Sequence, residues 1–155
     1  MQTGLGDSPI TNRNHMSKNI YNAVVTYAGD DFFIGIPPSG HAQVMDAHSE
    51  RNAAPTPLEN LLVAVAACSA YDVQSILKKK RQDVAAYRAE ISGTRREEMP
   101  RAFVALHIKH VVHGRNISEK AVADAIRLSD ETYCSVAATV RPTAEITTSY
   151  EIVEI

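Results

Sequence analysis

At 155 residues the chain is long enough for one domain with a real hydrophobic core. Apolar residues make up 45% and charged residues 22%, net charge is −2 and tryptophan is absent. That balance gives no reason to expect nucleic acid or an anionic membrane as partner.

The opening MQTGLGDSPITNRNH is polar, with no apolar stretch after a basic start, so no secretory leader is expected. Residues 1–15 read as a tail or extension outside the fold, and residues 16–155 as a single domain. Ile20 to Tyr27 is rich in β-branched and aromatic residues and predicts a strand, followed by the turn Ala28-Gly29-Asp30-Asp31. Phe32 to Ile36 predicts a second strand, closed by Pro37-Pro38-Ser39-Gly40, and His41 to Ala47 a third. A polar loop follows from His48 to Pro55.

Thr56-Pro57-Leu58-Glu59 then carries the signals of a helix start: a capping threonine, proline at the first helical position and glutamate three residues after the cap. The helix should run to about Lys80, with Lys78, Lys79 and Lys80 complementing the negative end of its dipole. Its longest apolar run, Leu61 to Ala70, is shorter than the roughly 20 residues that span a bilayer, so a buried core helix is expected. Because it is apolar nearly all round, it needs cover on most faces. One small sheet cannot supply that cover, but a second copy of the chain can.

Two strands come next, about Ala86 to Thr94 and Ala102 to Val112, the second with Val104, Leu106, Ile108 and Val112 on one face. Ser118 caps a helix that places Ala121, Val122, Ala125 and Ile126 on one side. One or two helical turns over Ser135 to Val140 and a closing strand, Ala144 to Val153, complete an α+β order.

The residues that could carry chemistry are few. Cys68 lies among small residues and reads either as a small core hydrophobe or as a reactive thiol. Cys134 precedes a predicted helix start, where the dipole would favour a thiolate. No CxxC spacing signals a metal, and in a cytoplasmic setting both cysteines should be reduced. Glu59 is accounted for by its capping position. It cannot meet Cys68 within one helix, since nine residues separate them by about 13 Å along the axis; two helices packed antiparallel would let them meet. His107 and His113 share one strand face and His110 points to the other, which argues against a three-histidine zinc site.

Taken together, P-x-x-L-E-N-L-L-V-A-V-A-A-C-S-A resembles the central helix of the OsmC/Ohr proteins, thiol-dependent peroxidases of organic hydroperoxides. PPSGHAQVMDA (37–47), SILKKKRQDV (75–84), TRREEMPRAF (94–103) and LSDETYCSVAATVRPTAEITTSYEI (128–152) resemble the flanking segments, so the likeness covers about residues 19–153. The resemblance implies an α+β fold in which two subunits interlock around paired central helices, with active sites at the dimer interface. It implies Cys68 as the attacking thiol, Cys134 as the resolving thiol, and Glu59 reaching a cysteine across the interface. A dithiol reductant, of the lipoyl type in relatives, would regenerate the thiols, and no metal or organic cofactor is called for.

One departure stands out. The family's peroxidases carry an arginine after the first strand, where this chain reads TYAGDDFFIG. Arg51, in the loop before the helix, is the nearest candidate for the activating cation. The expectation is thus a cytoplasmic homodimeric hydroperoxide reductase. Its rivals are a non-catalytic protein binding a small hydrophobic ligand at the interface and, more remotely, a metal site of two cysteines and a histidine.

Overall fold

The computed structural model describes residues 20–48 and 50–155; the proposed tail, 1–15, lies outside them. The chain forms two compact units, one ending at Leu58 and the other comprising Glu59–Ile155.

The first unit is an antiparallel sheet in the order β1 (Val24–Gly29), β2 (Phe32–Ile36), β3 (Gln43–Asp46). Its first hairpin turns on Asp30-Asp31, both at positive φ (50° and 60°), the backbone that a tight two-residue turn demands and that aspartate tolerates. β2 has the expected bounds. β1 begins four residues later than Ile20, and β3 is trimmed at both ends. One cause serves for β1 and for the start of β3: Val24 pairs with Ile36 and Gln43 with Gly35, and beyond Ile36 the partner strand is Pro37-Pro38, which cannot donate ladder hydrogen bonds.

In the second unit, α1 (Pro57–Lys79) is followed by β4 (Asp83–Arg95), β5 (Phe103–Arg115), α2 (Glu119–Leu128), a π-type turn (Ser129–Tyr133), α3 (Ser135–Val140) and β6 (Glu145–Glu154). The sheet order is β4-β5-β6, antiparallel then parallel, so the helical segment between β5 and β6 is a crossover. β4 outruns its predicted bounds at both ends, and β5 starts one residue later than Ala102 and runs three residues past Val112. A register irregularity between Val84 and Ala86 breaks the alternation that would have announced the start of β4.

Leu106, Ile108, His110 and Val112 point inward from β5. Val104, expected on the same face, stays 42% exposed because the pairing with β6 begins only at Ala105. Ser118 Oγ accepts the N–H of Ala121 and caps α2, whose Ala121, Val122, Ala125 and Ile126 are all buried. They form one cluster with Val73 and Leu77 of α1 and Val112 of β5. Each such aliphatic side chain contributes roughly 1.5–3 kcal/mol on leaving water.

The whole of α1, unlike its apolar run, is long and apolar enough to cross a membrane by length and composition: 23 residues, with a window of mean hydropathy 1.4. One side of it packs as a core helix does, with Val65, Val73 and Leu77 completely buried, although 28% of that window is buried in all. The cover predicted on most faces is present on one. Val63 (63% exposed) and Tyr71 (75%) stand open to solvent on another.

Candidate functional site: the facing cysteines

Helical spacing assigns α1 three separate faces. Val65, Ser69, Val73 and Leu77 recur every four residues and are buried. Cys68 and Asp72, also four apart, form a stripe along the edge of that face and are half-buried. Val63, Ala67 and Tyr71 form the third stripe and are exposed.

The second cysteine arrives from the crossover. The π-type turn delivers the chain to Cys134, which is the N-cap of α3; its Sγ accepts the Ala137 N–H at 3.4 Å. One ligand atom from each of Cys68, Asp72 and Cys134 lies within 4.8 Å of the others. Sequence positions 66 residues apart thus meet, and both thiols are free.

Their settings differ. Cys68 is half-buried, whereas Cys134 is 4% exposed. The thiolate expected at the α3 N-terminus is not what the surroundings favour. Burial pushes the Cys134 thiol up to about 11; the Ala137 N–H opposes the rise, while Cys68 and the Asp72 carboxylate add to it. One backbone dipole does not outweigh desolvation plus a neighbouring negative charge.

Asp72 is the residue that the sequence reading missed, although its i+4 offset from Cys68 was there to be read. It is held in place from behind. Buried Ser129 donates its Oγ–H to Asp72 Oδ2 at 3.1 Å. A hydroxyl has one hydrogen, so in the Ser69–Ser129 contact (3.3 Å) Ser69 is the donor. The result is a directed chain from Ser69 through Ser129 to the carboxylate.

The other predicted residues fall elsewhere. Glu59 lies exposed in the first turn of α1, nine residues from Cys68 on the same helix. Arg51, the candidate cation, is engaged within the first unit: Nε and an Nη donate to Asp46 (3.0 and 2.8 Å), the other Nη to Asp30 Oδ2 (2.6 Å), and the guanidinium sits 3.9 Å over Phe32. Asp46 is buried, also accepts the His48 and Ala53 N–H groups, and is held far below the usual carboxylate range by Arg51. That network ties His48, Arg51 and Ala53 to Asp46.

The histidines do not gather. His107 Nδ1 and Nε2 each lie 2.8 Å from a hydroxyl, of Thr147 and Ser149 respectively, and His110 is buried with Nδ1 2.6 Å from Tyr87 Oη. The metal alternative is therefore corrected: the third donor beside the two cysteines is Asp72, not a histidine. Two sulfurs and a carboxylate oxygen would make three corners of a tetrahedral site for a cation such as zinc.

The fold and the paired cysteines define a small α+β thiol protein built around one helix. The family model described as OsmC-like protein matches residues 48–149, and the chain belongs to that family. Protein YhfA of Escherichia coli is 46% identical over 121 residues, 78% of this chain and 90% of that relative. A hypothetical protein from Aquifex aeolicus VF5, solved by crystallography, is 32% identical, with TM-score 0.78 over 88% of this chain and 98% of that one. An organic hydroperoxide resistance protein OsmC from Legionella pneumophila shares the fold at 12% identity, with TM-score 0.63 over 88% and 99% of the two chains.

Proposed function

We propose that the chain is a cysteine-based hydroperoxide reductase in which Cys68 attacks and Cys134 resolves. The observation that carries this reading is the approach of the two free thiols to within 4.8 Å. Their exposure supports the order of events, because a peroxide can reach half-buried Cys68 but not Cys134. The organic hydroperoxide resistance protein among the structural neighbours adds support at the level of family.

The Cys68 thiolate attacks one peroxide oxygen; the S–O bond forms, the O–O bond breaks, and an alcohol leaves with a proton from solvent. Cys134 then condenses with the sulfenic acid, giving a disulfide and water. An external dithiol regenerates both thiols through a mixed disulfide, which suits a reducing cytoplasmic compartment. The apolar residues on the Cys68 side of α1, Ala64 one turn and Leu61 two turns before it, suit an organic hydroperoxide better than a small polar one.

The exposed stripe Val63, Ala67 and Tyr71 supports a homodimer whose copies pair through α1. Antiparallel pairing would bring Glu59 of one copy towards Cys68 of the other. Arg51 enters this scheme as the organiser of the loop before α1, its charge being shared by Asp46 and Asp30.

The test is a titration of the reduced protein with an organic hydroperoxide, with disulfide mapping by mass spectrometry. Stoichiometric peroxide loss with a Cys68–Cys134 bond is expected, and Cys68→Ser should abolish it. Thiols that stay intact under excess peroxide would sink the reading. A second reading has one observation in its favour, an open groove of about 340 Å³ whose lining is mostly apolar, Val63, Ala67, Ala70, Ala89 and Ile91 among it, with Arg88 at its wall. It casts the chain as a binder of a small hydrophobic ligand, in which case Cys68→Ser would keep a ligand detectable by native mass spectrometry.

A further inference from the structure

The chemistry proposed above leaves one step without a base. For Cys134 to attack the Cys68 sulfenic acid, its S–H proton must leave, and the sulfenic hydroxyl must gain a proton to depart as water. Cys134 is nearly sealed from solvent, so bulk hydroxide cannot be the general answer. Its burial beside the Asp72 carboxylate also favours the protonated thiol. A group already inside the site must carry the proton.

Among the described residues, the titratable groups that surround Cys134 are Cys68 and Asp72. Cys68 is the electrophile in this step, which leaves the carboxylate. Its charge has an ambiguous effect taken alone, since it disfavours a resting thiolate beside it. A carboxylate that hinders a standing thiolate is nonetheless well suited to take the proton during attack. The placement is built rather than incidental. Asp72 stands one helical turn from Cys68 on the same stripe, and its Oδ2 is fixed by Ser129, itself fully buried and fixed by Ser69. A surface aspartate has no need of two buried hydroxyls to orient it.

We propose that Asp72 is the proton carrier of the resolving step, taking the proton from the Cys134 thiol as Sγ attacks and delivering it to the departing hydroxide. This rests on the peroxidase reading. In the step the S–S bond forms and the S–O bond breaks. The sulfur of Cys134 is oxidised, that of Cys68 is reduced from sulfenic acid to disulfide, and water is the only other product. Asp72 ends as it began, hydrogen-bonded to Ser129. The separation of up to 4.8 Å closes by a side-chain rotation or one intervening water, as resting acid–base contacts commonly do.

Asp72→Asn is nearly isosteric and keeps the oxygen that accepts from Ser129. In single-turnover experiments on the full chain, the variant should still form the Cys68 sulfenate. Disulfide formation at neutral pH should slow by about 10²-fold or more, the range for loss of a general base. The sulfenate should then accumulate and be trapped by dimedone. The slowed step should recover about tenfold per pH unit on alkalinisation, whereas the wild-type step stays flatter, and Asp72→Glu should restore part of the rate.

A second arm needs no peroxide. Cys68 is loaded as its mixed disulfide with thionitrobenzoate, and attack by Cys134 releases the coloured thiolate. This leaving group needs no proton, so the arm isolates removal of the proton from Cys134, and Asp72→Asn should again slow release by about 10²-fold with the same recovery at high pH. Wild-type rates and a wild-type pH profile for Asp72→Asn in this arm overturn the assignment, whatever the peroxide experiments give. Failure of Cys134→Ser, with Asp72 intact, to form any sulfenate would instead strike at the peroxidase reading. Ser129→Ala, which frees the carboxylate without removing it, should give a smaller loss of the same kind.

Discussion

Oxidation of the cysteine pair should stabilise the protein, and the size of the effect follows from where the pair lies. A bond between Cys68 and Cys134 would close a loop of 66 residues in the unfolded chain. Loop-closure entropy for that length amounts to about 4 kcal/mol at room temperature. Two local costs oppose it. Sγ of Cys134 must leave its N-cap position, giving up the Ala137 N–H at a cost of about 1 kcal/mol. The sulfurs must also close to bonding distance, and the short turn and helix over 129–140 can move more readily than the 23-residue α1. A net gain of about 3 kcal/mol remains, worth roughly 6–12 °C in Tm for a chain of this size. Urea and thermal unfolding of the reduced protein, the peroxide-oxidised protein and Cys134→Ser would measure it, with the bond verified by mass spectrometry. A verified intramolecular bond that leaves the midpoint unchanged or lowers it would refute the reasoning, because the native fold would then not hold the sulfurs near bonding separation.

Three further outcomes are expected. Burial pushes the His110 imidazole down to about 4 from 6.5, so below pH 6.5 the unfolded chain binds a proton that the native chain refuses. Stability should therefore fall between pH 6.5 and about 4, by up to about 3 kcal/mol in total, and urea midpoints at pH 7 and 5 should show the onset in wild type but not in His110→Gln. Asp46, Asp124 and Glu151, held low by cations, lose their contributions only at more acid pH, so the upper part of the window isolates the histidine. Limiting iodoacetamide should alkylate half-buried Cys68 before buried Cys134; labelling in the reverse order would contradict the assigned roles. Ala67→Glu or Tyr71→Glu, placed on the exposed apolar stripe, should turn a dimer into a monomer in sedimentation velocity with the melting curve of the single chain largely preserved.

How much of this could be read from the residues depended on how locally each signal was encoded. The start of α1 was legible because Thr56, Pro57 and Glu59 announce it within four residues, and α2 because its cap and its four buried positions lie within nine. Strand ends were not, since β1 starts only where its partner ends before Pro37, and the start of β4 is hidden by the irregularity at Val84 and Ala86. Both limits belong to a neighbour or to the register rather than to the strand's own residues. The cysteine pair was legible only through family resemblance, because nothing in a 66-residue separation says that two thiols meet. Asp72 went unseen for the opposite reason. Its offset from Cys68 was visible, but an aspartate on a helix is ordinary until Ser129, 57 positions away, is known to stand behind it.

The same helix explains why the sequence looked too apolar for a surface and too short in its apolar run for a membrane. Its three faces differ: Val65, Val73 and Leu77 anchor it, Cys68 and Asp72 stand beside Cys134 and carry the chemistry in the proposed reading, and Val63, Ala67 and Tyr71 are exposed. A reactive thiol gains from this arrangement. The anchored face fixes its position, since α1 cannot rotate without exposing Val73 and Leu77, while the small residues around it leave room for an apolar peroxide. The apolar excess is therefore tied to function. Any substitution that made the third face polar would be nearly silent in the stability of the single chain, and in the proposed homodimer would be felt instead at the pairing of the two α1 helices.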